Sequence, residues 1–211
     1  MKTVDGLDLP ATLDEWADPA RTALLVYDMQ VGICRQVESA AIVANVQRVL
    51  AIARATGMRT IFTRHLSLPR KLMGRMAWRT AMAWQRTDDP DAIEPWFLRD
   101  TPGFAITPEL APSADEAIFD KITMSAFEGT PLAITLRDCG IQALAICGIA
   151  MEIGIEPTVR HAADLGIVPI VIADACGHGN TIAAERSLDQ MRFTGDAIIT
   201  DVAGFTAALT A

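Results

Sequence analysis

Short, continuously apolar runs alternate along this chain with longer segments of helical spacing, and this alternation limits the folds that the chain can adopt. The runs are rich in Val, Ile and Leu and lack an apolar–polar alternation, which is typical of strands covered on both faces. A parallel sheet with helical crossovers on both sides satisfies that requirement. We therefore predict an α/β fold with six strands, at residues 22–27, 58–63, 116–119, 142–147, 168–173 and 196–200.

The segments between these runs carry apolar residues at helical spacing. The clearest segment, residues 38–55, stops shortly before Gly57, and glycine is common just after the last turn of a helix. The same kind of pattern predicts further helices at residues 131–138, 152–165 and 181–192.

The length of the chain fits a single domain. With 211 residues, of which 51% are hydrophobic, the chain can bury one sizeable core. We predict one domain over residues 1–211. Residues 68–112 interrupt the alternation, because they hold three of the four tryptophans and several methionines and prolines. We expect this stretch to form a cap over the sheet, beginning with a helix at about residues 70–86.

Charge and cysteine content limit the classes of partner that the chain can bind and the cellular compartments that suit it. The chain has 18 Lys and Arg against 26 Asp and Glu, and a net charge of −8 disfavours binding to a phosphate backbone. The four cysteines form no CxxC pair, and the first residues lack the features of a signal peptide. No apolar run reaches the roughly 20 residues that span a bilayer. We expect a cytoplasmic protein without nucleic-acid or membrane partners.

Three predicted strands bring chemically useful residues to one edge of the sheet. Asp28 follows the first strand, Lys121 ends the third, and Gly148 and Gly154 follow the fourth. Ligands of open parallel sheets bind beyond the carboxyl ends of the strands. Asp28 and Lys121 are therefore a candidate acid–base pair in a partly desolvated cleft. Spacing alone gives equal weight to a salt bridge that only joins two strand ends.

Four blocks of sequence carry a resemblance to a known family: LLVYDMQ, FDKITMSAFEGTPL, ICGIAMEIGIEPTVRHAADLG and VIADAC, in that order. Together they resemble the isochorismatase-like hydrolases, also called cysteine hydrolases, over about residues 20–200. The resemblance implies a Rossmann-like three-layer α/β/α fold whose six parallel strands lie in the order 3-2-1-4-5-6. It also implies an Asp–Lys–Cys triad that hydrolyses amide or carbamoyl bonds, and Asp28 and Lys121 match its first two members.

The third member of that triad is absent from the matching position. Gly154 stands where the amidases of the family have their nucleophilic cysteine. The chain resembles true isochorismatases in this respect, and those enzymes hydrolyse enol (vinyl) ethers, a reaction that needs a proton donor but no covalent nucleophile. The resemblance implies that Asp28 donates the proton and that Lys121 orients it. It further implies that Gly154, as the third catalytic position, leaves space for the substrate or the attacking water.

Two other functions stay open at this point. The chain also fits an amide or carbamoyl hydrolase that uses water as its nucleophile, or whose cysteine has been lost. The family places a cis peptide at the position of Ile149 and Ala150, where backbone N–H groups polarise a carbonyl. The third possibility is a non-catalytic ligand-binding or scaffold protein that keeps the fold.

We expect substrate contacts from residues near the same edge of the sheet. His65 follows the second strand, and the forked guanidinium of Arg75 on the predicted cap helix suits a carboxylate. Apolar side chains around them favour an apolar or aromatic small-molecule substrate. The predicted substrate-binding residues are His65, Arg75, Trp78, Phe127, Ala150 and Met151.

The sequence offers no motif for a cofactor. Its three histidines are isolated from one another, and neither GxxxxGK nor GxGxxG occurs. We expect a cofactor-free, metal-independent enzyme. The Met and Trp residues of residues 68–112, together with the resemblance, favour a homodimer or a larger homo-oligomer.

Overall fold

A computed structural model describes residues 2–210 and contains the six-stranded parallel sheet that the sequence predicts. When the six strands are numbered along the chain, they lie in the order 3-2-1-4-5-6. The α/β fold class is therefore confirmed. The strands span Thr22–Tyr27 (β3), Thr60–His65 (β4), Ala117–Lys121 (β5), Ala143–Ile149 (β6), Val168–Gly177 (β7) and Ile198–Thr200 (β8).

Eight α-helices connect and cover these strands within the described residues. They span Leu13–Trp16 (α1), Val31–Cys34 (α2), Ala40–Ala55 (α3), Arg75–Gln85 (α4), Leu132–Asp138 (α5), Glu156–Asp164 (α6), Thr181–Thr194 (α7) and Val202–Thr210 (α8). The helix predicted to start at residue 152 instead begins with a π-helical turn over Met151–Ile155, and only then continues as α6.

Apolar side chains on both faces of the sheet explain why the strands are continuously apolar. Leu24 and Val26 of β3 point to one face and belong to a core that includes residues of α3 and α8. Leu25 and Tyr27 point to the other face, where the core includes residues of α5, α6 and α7. The result is a three-layer α/β/α arrangement with β3 at its centre, as expected for strands buried on both sides.

An antiparallel hairpin near the N-terminus was not predicted. It pairs Lys2–Val4 (β1) with Leu7–Leu9 (β2), and its apolar residues Val4, Leu7 and Leu9 are exposed. Strands of three residues are too short to show a pattern, and no core contact selects their apolar side chains. Across residues 2–210, no helix is both long enough and apolar enough to cross a membrane.

The chain between β4 and β5 adds no strand to the sheet. It contains α4 and several 3₁₀ turns, and the predicted helix at 70–86 is shorter than expected. Gly74, in an extended conformation, precedes its first turn, while Arg86 ends it in the left-handed conformation. Residues 70–72 form a separate 3₁₀ turn.

Candidate active site

Asp28 and Lys121 meet at the carboxyl edge of the sheet. Lys121 Nζ lies 2.7 Å from Asp28 Oδ2, and the side chains are 0% and 5% exposed. Lys121 is the last residue of β5 and Asp28 follows β3, so the ion pair spans the strand that lies between them. In this buried setting the two groups interact far more strongly than they would in water.

Thr63 of β4 completes this contact, and the sequence analysis did not single it out. Its hydroxyl donates to Asp28 Oδ1 at 2.7 Å, and the backbone N–H of Asp28 donates back to Thr63 Oγ1 at 3.2 Å. Thr63 lies inside β4, whose sequence is TIFTRH, and a threonine in a strand is no signal of a site. Asp28 adopts a left-handed backbone conformation with φ of 48°, which Asp tolerates better than most residues.

A cleft of about 490 Å³ opens above Asp28. Its floor includes Tyr27 and Asp28 at the end of β3, while its walls come from the segment between β4 and β5 and from the segment after β6. Apart from Asp28 and a few polar residues, the lining is apolar and aromatic, which is usual for a small-molecule site. The main lining residues are Tyr27, Asp28, His65, Trp84, Phe97, Met124, Ile149, Ala150, Glu152 and Ile153.

The space beside Gly154 is filled, contrary to the expectation that it is open. A Cβ built on Gly154 would lie 2.5 Å from Cε1 of Tyr27 and still nearer to its hydroxyl oxygen. Gly154 is itself buried and does not line the cleft. Its role as a place for substrate or water is therefore corrected: the phenol of Tyr27 occupies that volume.

Two of the six predicted substrate-binding residues line the cleft. They are His65 and Ala150. The peptide bond between Ile149 and Ala150 is cis, as the family resemblance implies. Glu152, a cleft residue that the sequence analysis did not select, accepts hydrogen bonds through Oε1 from the backbone N–H groups of Gly179 and Asn180.

The other four predicted substrate-binding residues lie outside the cleft lining. Arg75 is exposed at the start of α4, and Trp78 packs instead against the guanidinium of Arg70, which lies 4.9 Å from its ring centroid. Phe127 and Met151 are buried in the core on one face of the sheet. Helical spacing alone did not reveal which side of α4 faces the cleft: Ala83 and Trp84 do.

Burial changes the proton affinity of two groups that line the cleft. It lowers the pKa of His65 to about 4, because the charged imidazolium is poorly solvated there; Asp28 raises this pKa and Lys121 lowers it further. Burial, together with the charge of Asp28, raises the pKa of Tyr27 well above its ordinary value. Near neutral pH both His65 and Tyr27 are therefore uncharged.

Among the described residues, no cysteine lines the cleft. Cys147 and Cys176 are buried in the sheet, and burial raises the pKa of each thiol. Burial also raises the pKa of Cys34 to about 11, so that thiol too is poorly ionised at neutral pH. Cys139, which is exposed, lies in the turn before β6 at the opposite end of that strand. Within residues 2–210, no group of three or more His, Cys, Asp or Glu side chains is arranged to hold a metal ion.

Comparisons with known proteins agree with this geometry. The chain is 30% identical over 186 residues to a ureidoacrylate amidohydrolase (RutB) from Serratia proteamaculans, covering 80% of this chain and 75% of that protein. It is also 30% identical over 179 residues to enterobactin synthase component B from Escherichia coli K12, covering 80% of this chain and 57% of that protein.

A solved structure shows the same fold. The cysteine hydrolase from Pseudomonas syringae pv. phaseolicola 1448A superposes with a TM-score of 0.79 at 25% identity, over 91% of this chain and 93% of that one. Residues 22–203, which include β3 through β8 and both members of the ion pair, match the model of the isochorismatase domain. The chain therefore belongs to the isochorismatase family of hydrolases.

Proposed function

We propose that this chain is a hydrolase that works without a thiol nucleophile, that Asp28 transfers the proton, and that the substrate is an enol ether. The observation that carries the proposal is the buried ion pair of Asp28 and Lys121 beside a cleft that no cysteine lines among the described residues. A member of a cysteine-hydrolase family that keeps the acid and the amine, but has no cysteine in its cleft, needs a reaction in which its side chains only transfer protons.

Enol-ether hydrolysis meets that need. The Asp28–Lys121 pair gives one proton to the terminal carbon of the C=C bond, and the electron pair of that bond forms the new C–H bond. The resulting oxocarbenium centre is attacked by water, whose proton returns to the pair. The hemiketal then collapses to an alcohol and a ketone, so the site ends in its starting state. General acid catalysis of this kind contributes about 10²–10⁴-fold.

The cleft supports this chemistry in two further ways. Its lining is largely apolar and aromatic, and it includes Trp84 and Phe97 from the segment between β4 and β5. A bound substrate therefore leaves little water around the reacting atoms. His65 is neutral near pH 7, so it adds no positive charge that would oppose a cationic intermediate. The charge of Asp28 stabilises that intermediate after the proton has left.

A second candidate function is hydrolysis of an amide or carbamoyl bond by water. The name of the Serratia relative, a ureidoacrylate amidohydrolase, favours it. In this reaction Asp28 takes a proton from the attacking water, and the water oxygen adds to the carbonyl carbon to give a tetrahedral intermediate. The C–N bond then breaks as the proton passes from Asp28 to the leaving nitrogen. The same two residues thus serve either reaction, and the substrate decides between them.

Parallel assays distinguish the candidates. We expect the purified protein to release pyruvate from isochorismate, and Asp28→Asn to lower that rate by about 100-fold or more. Asp120→Asn is the matched control, because Asp120 precedes Lys121 on β5, pairs with Arg64 at 2.8 Å and does not line the cleft. Ammonia from ureidoacrylate, abolished by Asp28→Asn, would instead establish the amide reaction. Ligand-induced stabilisation without turnover of either compound would indicate a binding protein.

A thiol reagent tests the nucleophile separately. Iodoacetamide should leave the activity intact, whereas the exposed Cys139 should gain the mass of the reagent and so prove that alkylation occurred. Full inactivation that tracks modification of Cys34 would contradict a thiol-independent mechanism.

We also propose that the chain forms a homodimer or a larger homo-oligomer. A hollow of about 550 Å³ adjoins the cleft and is lined partly by apolar residues of the segment between β4 and β5. Leu72 and Met76 there are 66% and 69% exposed, and Ile122 nearby is 54% exposed. Contiguous exposed apolar surface of this kind often marks an interface. Sedimentation velocity at micromolar concentration tests the assembly, and a monomer at all concentrations would contradict it.

A further inference from the structure

The ring of Tyr27 occupies the volume that any side chain at position 154 would need. A Cβ on Gly154 would lie 2.5 Å from Tyr27 Cε1, whereas real Cβ atoms essentially never come within 3.0 Å of a heavy atom in a residue that is distant along the chain. The backbone of Gly154 itself poses no obstacle, because its φ lies outside the left-handed region. The glycine is therefore required by its neighbour and not by its own conformation.

Tyr27 cannot easily move aside to admit such a side chain. It is the last residue of β3, is only 2% exposed, and packs in the core on one face of the sheet. Its hydroxyl donates to the backbone oxygen of Met124, a residue of the loop that follows β5. Both ends of the side chain are thus fixed, one by the sheet and the other by that loop.

The same ring lies beneath the ammonium group of Lys121. Lys121 Nζ is 4.2 Å from the ring centroid, and it also donates to the backbone oxygen of Thr123 at 3.1 Å. The negative face of an aromatic ring attracts a cation, and this attraction is largest where water is excluded. The same ammonium donates to Asp28 Oδ2 at 2.7 Å. The position of Lys121 is therefore defined by a carboxylate, a carbonyl and a ring.

We propose that Tyr27 takes the place of the absent thiol and is the residue that positions Lys121 against Asp28. The first half is a statement about packing and does not depend on the reaction. The second half rests on the proposed function, because it concerns proton transfer at the same site. Together they make positions 27 and 154 a coupled pair. An aromatic ring at position 27 requires glycine at position 154, and a nucleophilic side chain at position 154 requires a smaller residue at position 27.

A double-mutant cycle tests the packing half without any activity assay. Gly154→Ala should lower the melting temperature by about 5 °C or more, because the new methyl group overlaps a fixed ring. In the background of Tyr27→Leu, the same substitution should cost less than about 2 °C, because a flexible aliphatic side chain can yield. Additive effects of the two substitutions would overturn the proposal. Gly74→Ala is the control, because a Cβ on Gly74 would meet no heavy atom within 4 Å and the φ of Gly74 also lies outside the left-handed region.

Kinetics test the positioning half. Tyr27→Leu removes the ring and should lower kcat by about 10-fold or more, with KM changed by less than about 3-fold. Tyr27→Phe keeps the ring under Lys121 and should recover most of that loss in kcat, which a purely structural defect shared by both variants would not allow. Equal kcat values for the leucine variant and the unaltered protein would overturn this half.

The two tests separate failure of this proposal from failure of the proposed function. A protein that turns over neither substrate still reports the coupling of positions 27 and 154 through its melting temperature. If the enzyme is active and the coupling is absent, the assignment of Tyr27 is wrong while the hydrolase assignment stands. As a further check, Gly154→Cys alone should be destabilised and its new thiol should resist iodoacetamide, whereas the combination with Tyr27→Leu should fold with an alkylatable thiol at position 154.

Discussion

Thr63 stands between Asp28 and Lys121 in the sheet, and its hydroxyl donates to Asp28 Oδ1 at 2.7 Å. The neighbouring strands β3 and β5 supply the acid and the amine, so the strand between them fixes the orientation of the carboxylate. One oxygen of Asp28 thus faces the threonine and the other faces the lysine.

Replacement of this threonine tests how much its hydroxyl contributes. Thr63→Val keeps the size and branching of the side chain but removes the hydrogen bond to a charged group, which is worth about 1.5–3 kcal/mol. We expect the free energy of unfolding to fall by about that amount and kcat to fall about 10-fold. Urea unfolding and steady-state kinetics measure both. Thr60→Val is the control: it is buried in the same strand, but its hydroxyl donates to the backbone oxygen of Met58.

The ion pair predicts a non-additive pattern of stability. Asp28→Asn or Lys121→Met alone leaves one buried charge without its partner, and each should cost about 3–5 kcal/mol of unfolding free energy. The double variant removes both charges and should recover at least half of the summed loss, while activity stays abolished in all three. Chemical denaturation of the four proteins measures this. Strictly additive losses would show that the two charges do not depend on each other.

His65 predicts a specific dependence of stability on pH. Its pKa is about 4 in the folded protein against 6.5 for the ordinary side chain, so the folded state favours the neutral imidazole. This contribution is fully present above pH 6.5 and is lost as the pH falls towards 4, where the unfolded chain binds a proton that the folded one rejects. Between pH 7 and 4.5 we expect the loss to be about 2.5 kcal/mol larger than in His65→Gln.

Urea titrations at several pH values measure that difference. His178→Gln serves as the control, because His178 is exposed and bonds to the hydroxyl of Thr181. Parallel pH curves for the unaltered protein and His65→Gln would show that His65 titrates normally in the folded state.

Glu152 predicts a difference between two substitutions. Its Oε1 accepts two backbone N–H groups, whereas Oε2 is buried and has no hydrogen-bond partner among the described residues. Glu152→Gln keeps an acceptor and removes the charge, so it should be as stable as the unaltered protein or up to about 1 kcal/mol more stable. Glu152→Ala should lose about 1–2 kcal/mol, because both backbone donors lose their acceptor. Thermal melts of the two variants beside Glu185→Gln, an exposed control on α7, decide the matter.

The sequence predicted those parts of the molecule in which one pattern has one structural meaning. Continuously apolar runs identified all six strands of the parallel sheet, and the ends of two of these strands located Asp28 and Lys121. The same reasoning could not find Thr63, because a threonine in a strand normally reports β-propensity and not a site.

The contents of the cleft depended on contacts that sequence spacing does not encode. Glycine at position 154 suggested open space, but a residue more than a hundred positions earlier, Tyr27, fills it. Trp78 and Trp84 occupy the same helix, yet the first packs against Arg70 and the second lines the cleft. Which of the two lines the cleft depends on how the segment between β4 and β5 packs, and that segment has no regular hydrophobic periodicity from which its packing could be predicted.

Asp28, Thr63 and Lys121 all lie on strands of the sheet or at their ends, whereas Trp84 and Phe97 reach the cleft from the contiguous stretch between β4 and β5. The proposed proton-transfer groups and part of the cleft wall thus come from separate parts of the chain. Libraries of variants confined to the stretch between β4 and β5 can therefore change part of the cleft wall, while Asp28, Thr63 and Lys121 stay unaltered. The shape of the cleft can in this way be altered without substituting either member of the buried ion pair.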